Sequence, residues 1–177
     1  MSESLIILTA SALERTLKRM AHEIAERNEA IKDLALAGIP RGGVFLSQRL
    51  GVLLKDILGY NVPVGSLDVS MHRDDIGTQA APNVHPTVIP FDVTGKTVVL
   101  VDDVLFSGRT TRAALDALND FGRAQRVQLA VLIDRGHREL PIKADFVGKN
   151  VPTSLRERVN VQLKEESGQD IVTLEKL

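Results

Sequence analysis

The chain has 177 residues, of which 44% are hydrophobic and 25% charged, with a formal net charge of −1. That length suits a single domain, 1–177, with a real hydrophobic core, and the near-neutral balance gives no global attraction to nucleic acid, so any RNA contact must rest on local charge. There is no cysteine, which excludes disulfides and thiolate metal sites and fits a reducing cytoplasm. The longest apolar runs fall far short of a membrane span, and Met1-Ser2-Glu3-Ser4 lacks the basic start of a signal peptide.

In chain order, residues 5–8 form a short apolar strand, and Ser11 with Glu14 three places on has the form of a capping box opening a helix. Leu13, Leu17, Met20, Ala21 and Ile24 recur at helical spacing as its buried face. The opposite face carries Arg15, Lys18, Arg19 and His22, a basic stripe interrupted by glutamates, for which a solvated charged face is the plain alternative. Residues 34–39 read as a second buried strand, followed by Pro40-Arg41-Gly42-Gly43 and a helix over 44–58 that stops at Gly59 in the C′ position. A strand ending in a Gly-rich turn with one arginine is an anion-binding shape, because backbone amides and a guanidinium converge there; Gly-Gly turns are also commonplace.

Residues 62–69 read as a third strand that closes on Ser70-Met71-His72-Arg73-Asp74-Asp75. From 76 to 90 the chain holds Gly77, Pro82, Pro86 and Pro90 with little periodicity, so a lid or binding loop is expected over about 71–90, with Arg73 at its base. Then comes Val98-Val99-Leu100-Val101-Asp102-Asp103-Val104-Leu105-Phe106-Ser107-Gly108-Arg109-Thr110, a fully apolar strand meeting two carboxylates, a short loop, and a helical pattern over 111–121 closed by Gly122. Ligands of open α/β sheets sit beyond the carboxyl ends of such strands. Amides at a helix N-terminus cradle a phosphate, and paired carboxylates accept hydrogen bonds from a vicinal diol, so the implied ligand is a ribose 5-phosphate. An ordinary buried strand with an acidic cap, or a magnesium site of the phosphoaspartyl kind, are the competing readings. Residues 126–133 give another buried strand, Asp134 to Pro141 a loop, and 148–154 a turn-rich stretch. Strands at 159–163 and 171–174, joined by Ser167-Gly168-Gln169-Asp170, make a C-terminal hairpin.

Residues 98–110 resemble the phosphoribosyl pyrophosphate (PRPP) motif of the type I phosphoribosyltransferases. Further along, Asp134-Arg135-Gly136-His137-Arg138-Glu139-Leu140-Pro141-Ile142-Lys143-Ala144-Asp145 and Gly148-Lys149-Asn150-Val151-Pro152-Thr153-Ser154 resemble the bifunctional pyrimidine-operon attenuation regulator and uracil phosphoribosyltransferase family. Arg73-Asp74-Asp75 and Arg19-Met20-Ala21-His22-Glu23 match too, so the likeness covers almost the whole chain. The resemblance implies an α/β type I phosphoribosyltransferase fold, a mainly parallel sheet flanked by helices with a flexible lid. It implies Mg²⁺-dependent transfer from PRPP to uracil, giving UMP and pyrophosphate, and UMP-dependent binding to the leader mRNA of pyrimidine-biosynthesis genes. A homodimer or higher homo-oligomer is the implied assembly.

In that scheme Asp102 and Asp103 grip the ribose, with Asp103 nearest to the cationic centre, and Val104, Leu105, Phe106, Ser107, Gly108, Arg109 and Thr110 complete the PRPP and UMP site. Arg41, Gly42 and Gly43 face pyrophosphate, Arg73 closes over it, and Asp134 and Arg135 flank the base. Magnesium is held chiefly by PRPP oxygens and water, with no fixed protein site. Lys18, Arg19, His22, Arg27, Arg138, Lys143 and Lys149 are the implied RNA contacts; residues 134–149 hold four Lys or Arg against three acids, so these groups must converge in the fold to act. Two positions depart from the family's pattern. Gly42 stands where an arginine is expected, and His72 where a tyrosine commonly precedes Arg-Asp-Asp, which leaves open a regulator that turns over poorly. Phe106 stands where purine-salvage relatives carry an acid, which favours a pyrimidine; transfer to another base is the remaining alternative.

Overall fold

Strands that are apolar on both sides need cover on both sides, and this requirement organises the molecule. The computed structural model describes residues 4–30, 32–74 and 84–177. Met1 to Glu3, Ile31, Asp75 and the 76–83 part of the expected lid lie outside the described residues.

The central sheet has five parallel strands in the order β3-β2-β4-β5-β6, formed by β2 (Leu34–Gly38), β3 (Val64–Ser66), β4 (Thr97–Leu105), β5 (Arg126–Asp134) and β6 (Phe146–Asn150). Alternation along β4 divides the core in two. Val99 and Val101 point to the face covered by α1 (Ala10–Arg27) and α2 (Gly42–Leu58), while Val98 and Leu100 point to the face covered by α3 (Arg109–Asn119). Leu13, Leu17, Met20 and Ile24 of α1 are buried, as their spacing requires. Ala113, Ala114 and Ala117 let α3 lie close on the sheet.

The type I phosphoribosyltransferase architecture expected from the sequence is present, with several elements shifted. Thr9, not Ser11, caps α1, its side chain accepting from the Ala12 amide, because the helix starts two residues earlier than the capping-box reading places it. The second helix opens at Gly42, so both glycines of the Gly-rich turn belong to its first turn. Gly59 ends it in the left-handed conformation, as the C′ reading requires. The third strand is only three residues long, and a 3-10 turn at Ser70–His72 follows it. Residues 148–150 extend β6 rather than forming a turn.

The C-terminal hairpin is there, as β7 (Glu157–Gln162) and β8 (Ile171–Lys176), with a helical turn α4 (Lys164–Ser167) between them. Its other edge takes in β1 (Ser4–Leu8), giving a three-stranded antiparallel sheet β1-β8-β7. Arg49 of α2 fastens this small sheet to the main body. Its Nε and Nη2 donate to Glu165 at 2.9 and 2.6 Å, and Nη1 and Nη2 donate to Asp170 at 3.0 and 2.8 Å. The Arg49 hydrogen bonds hold Glu165 below its ordinary range. Burial pushes Asp170 up, but Arg49 and the Lys164 amide outweigh it and leave Asp170 lowered as well.

Arg49→Ala is expected to lower the unfolding free energy at pH 7 by roughly 1–3 kcal/mol, between the value of an exposed pair and that of a broken buried one. Because both carboxylates titrate lower when folded, the stabilisation is complete above their ordinary values of 4.5 and 3.8 and is lost as pH falls through the folded ones. Urea titrations of both proteins at pH 7 and pH 3 measure this, and the gap between them should narrow in acid.

Candidate active site

The two acids lie within β4 rather than beyond it. The strand stays in register with β5 as far as Leu105 opposite Asp134, so the loop proper is only Phe106 to Gly108. A parallel sheet with both faces covered carries its end groups into low dielectric, and Asp102 is 8% exposed. The Asp103 amide donates to Asp102 Oδ1 at 2.8 Å and the Val104 amide to Asp103 Oδ1 at 2.7 Å, which fixes both carboxylates. Burial, then the neighbouring Asp103 charge, push the Asp102 carboxyl well above its ordinary value, and Arg73 opposes them.

Gly108 turns the chain at φ 91°, and α3 begins at the next residue. The first amides of that helix have no acceptors within it, which is what an incoming phosphate requires. Asp102, the loop and the helix start line one cavity of about 280 Å³, which Arg73, Asp74 and Glu139 also border. Among the sequence-derived positions it unites Arg73, Asp102 and residues 104–110, with Thr111 joining them, while Asp103 stands outside its lining.

The loop is held from behind by the segment after β5. The Arg135 amide donates to the Leu105 carbonyl at 3.1 Å, Arg138 Nη1 to the Phe106 carbonyl at 2.9 Å, and the Glu139 and Leu140 amides to the Ser107 carbonyl at 2.9 and 3.2 Å. All three carbonyls are thereby occupied. The Arg135 guanidinium stacks on the Phe106 ring, 4.2 Å from its centroid, and donates to Thr153 Oγ1 and the Ser154 carbonyl. Burial lowers its pKa. Arg135 thus backs Phe106, and the cavity wall is the ring.

The Gly-rich turn abuts the acid pair. A Cβ on Gly42 would lie 2.6 Å from Asp103 Oδ2, and one on Gly43 would run into the Val101 carbonyl. The start of α2 therefore stands flush against Asp103. Arg41, which follows a cis peptide, is 66% exposed in its side chain and sits 3.9 Å from Glu166. It lines a separate, largely apolar cavity with Val44, Phe45 and Pro86.

The implied RNA contacts divide into two groups. Helix α1 lies along β6, where Arg19 donates to the Val147 and Gly148 carbonyls, Arg27 pairs with Asp145 at 3.6 Å, and Lys149 Nζ reaches the Ile7 carbonyl at 3.4 Å. Lys18 pairs with Glu14, and His22 and Lys143 are exposed. Arg138 stands apart: it holds the Phe106–Gly108 loop, with further bonds to Asp134 Oδ2 at 2.5 Å and the Ile142 carbonyl at 2.9 Å. Sequence reasoning did not foresee that use, nor the pairing of Arg109 with Asp74 and Glu139. Asp74 and Glu139 are visible in the sequence as charges, but their partner Arg109 lies 35 and 30 residues away.

A phosphoribosyl transferase domain model matches residues 5–164. The chain is 61% identical over 163 residues to the bifunctional protein PyrR of Roseiflexus, covering 92% of this chain and 89% of that one. It is 59% identical to the PyrR of Chloroflexus aurantiacus, covering 95% and 93%, and 50% identical to that of Listeria welshimeri, covering 99% of each. Among solved structures, the hypoxanthine phosphoribosyltransferase of Trypanosoma cruzi superposes with a TM-score of 0.74 at 19% identity, covering 98% of this chain and 97% of that one, a likeness of fold. The chain belongs to the phosphoribosyl transferase family and, within it, to the family of bifunctional PyrR proteins.

The acid pair sets a cost on stability. Asp102 has a raised folded pKa, so its ionisation works against folding as pH rises from 3.8 through the folded value. Asp102→Asn keeps an acceptor for the Asp103 amide and removes the charge. We expect its thermal midpoint at pH 7 to rise by about 2–4 °C, the equivalent of roughly 1 kcal/mol at this size, with the gain disappearing below pH 3.8. Calorimetric scans at both pH values check this.

Proposed function

We propose that this chain transfers the phosphoribosyl group of PRPP to N1 of uracil, forming UMP and pyrophosphate, and that with UMP bound it binds the leader mRNA of pyrimidine-biosynthesis genes and promotes termination. One observation carries the catalytic reading: Asp102, a helix N-terminus and Arg73 border a single cavity sized for a sugar phosphate, with Asp103 fixed next to Asp102 by its amide hydrogen bond to that carboxylate.

In the reaction the bond from C1′ to the pyrophosphate oxygen breaks, a bond from N1 to C1′ forms, and N1 gives up its proton. Asp102 and Asp103 accept hydrogen bonds from the ribose hydroxyls, and the Asp103 charge supports the oxocarbenium-like sugar. Residues 107–110 hold the 5′-phosphate through amides and hydroxyls, and Phe106 and Leu105 exclude water from that side. Arg73 faces the pyrophosphate with the Gly42 and Gly43 amides, and Asp134 with the Arg135-backed ring borders the base. Mg²⁺, bound chiefly by PRPP oxygens and water, would supply charge neutralisation at the leaving pyrophosphate, and the hard carboxylate oxygens of the acid pair are of the type that ion accepts. The whole chain serves as one domain with a lid over about 71–90, acting in the cytoplasm as a homodimer or higher oligomer. No described helix is long and apolar enough to cross a membrane.

A second reading, a regulator with little turnover, has its own support. The Arg41 guanidinium is directed to Glu166 instead of the acid pair, so the Gly-rich turn meets pyrophosphate without its arginine.

Incubation of the full chain with uracil, PRPP and Mg²⁺ should release UMP, and Asp103→Asn should cut kcat by about 100-fold or more while the protein still melts cooperatively. UMP binding without any turnover in the wild-type chain would establish the regulator reading instead. For RNA, a gel shift on a pyrimidine-operon leader should show binding that UMP strengthens and salt weakens. Lys143→Ala should lower affinity on all leader sequences alike and reduce the log–log salt slope by about one.

A further inference from the structure

We infer that Asp74 competes with the 5′-phosphate of the ligand for Arg109, and so sets how tightly phosphorylated ligands are held. The inference rests on the reading of residues 107–110 as a phosphate cradle.

Two carboxylates, Asp74 and Glu139, border this cavity in addition to Asp102. Acids beside a dianion site are electrostatically adverse unless a cation separates them from it. Arg109 is that cation. Its Nη1 donates to Asp74 Oδ2 at 2.5 Å and its Nε to Glu139 Oε2 at 2.8 Å, so two of its five N–H donors are committed to acids at the rim of the cradle that its own amide helps to form. Arg112, one turn further along α3, has its Nη1 3.8 Å from the same Asp74 oxygen. Asp74 thus occupies the cationic side of a helix N-terminus, where the phosphate charge belongs.

The two acids are attached in different ways. Glu139 donates its backbone amide to the Ser107 carbonyl at 2.9 Å, so it is part of the loop and moves with it. Asp74 follows the Ser70–His72 turn and comes to the cradle from a distant part of the chain, through ion pairs with Arg109 and Arg112. Its side chain is 38% exposed, and such pairs are weak enough to be exchanged for a phosphate, which offers Arg109 a bidentate acceptor with twice the charge. Glu139 stays in place and keeps Arg109 aimed.

Calorimetric titrations of UMP, ribose 5-phosphate and uridine into wild-type, Asp74→Asn and Glu139→Gln chains at fixed ionic strength test this. Asp74→Asn should tighten UMP and ribose 5-phosphate about two- to fivefold and leave uridine unchanged, and Glu139→Gln should not tighten any of them. Unchanged or weaker UMP binding by Asp74→Asn would overturn the inference. So would equal tightening by both variants, which assigns the effect to through-space charge, or tightening that extends to uridine. Wild-type binding with an unmoved Asp74→Asn defeats the competition alone, whereas a wild-type chain that binds neither phosphorylated ligand defeats the cradle reading together with it.

Discussion

The constraint on which the rest depends is the contact between the end of β4 and the start of α2. The end of β4 carries Asp102 into the interior with Asp103 half-buried beside it, and the neighbour that fits against Asp103 is backbone without side chains. Gly42 and Gly43 supply that backbone, and a Cβ at position 42 would already press on Asp103 Oδ2 at 2.6 Å. The helix therefore begins where its amides and the acids meet, and the sheet order, with β2 beside β4, brings the two ends together. The cost of burying the Asp102 carboxyl is offset by the apolar surface that α1, α2 and α3 bury.

Around that contact the segment from Asp134 to Asn150 does two jobs. Its first half grips the loop after β4, taking the carbonyls of residues 105 to 107 and seating Arg135 under Phe106. The second half becomes β6 and lies under α1, where Arg19 and Arg27 reach across to residues 145–148. Ligand loop and basic face are thus two ends of one continuous piece of chain. In a protein whose relatives are named bifunctional, such continuity places the cavity and the basic helix in one mechanical unit.

Much of this architecture is legible in the amino-acid sequence. The apolar run into Asp102 and Asp103, Gly108 before a helix, and Gly59 after one each carry their own local physics, and they appear where the sequence puts them, to within a residue or two. The misplacements share a cause. The capping box at Ser11 gave way to Thr9 because β1 pairs with β8 and fixes where the helix starts. The turn expected after Val147 became strand because β5 offered Lys149 and Asn150 partners. Neither partner is near in sequence.

The same division holds for the site. By itself the sequence determined the identity of the chemistry, since acid pair, small loop and helix start are contiguous, and it determined the family, since the block after residue 134 is long and distinctive. Only the tertiary structure decided how the charges are used. Arg138 turned inward to hold Phe106 and Asp134, Arg41 turned away to Glu166, and Arg109 was claimed by Asp74 and Glu139. A guanidinium has five donors on a long stem, so its partner is settled by whichever acceptors the packed fold brings within reach, and residues far apart in sequence supplied them here.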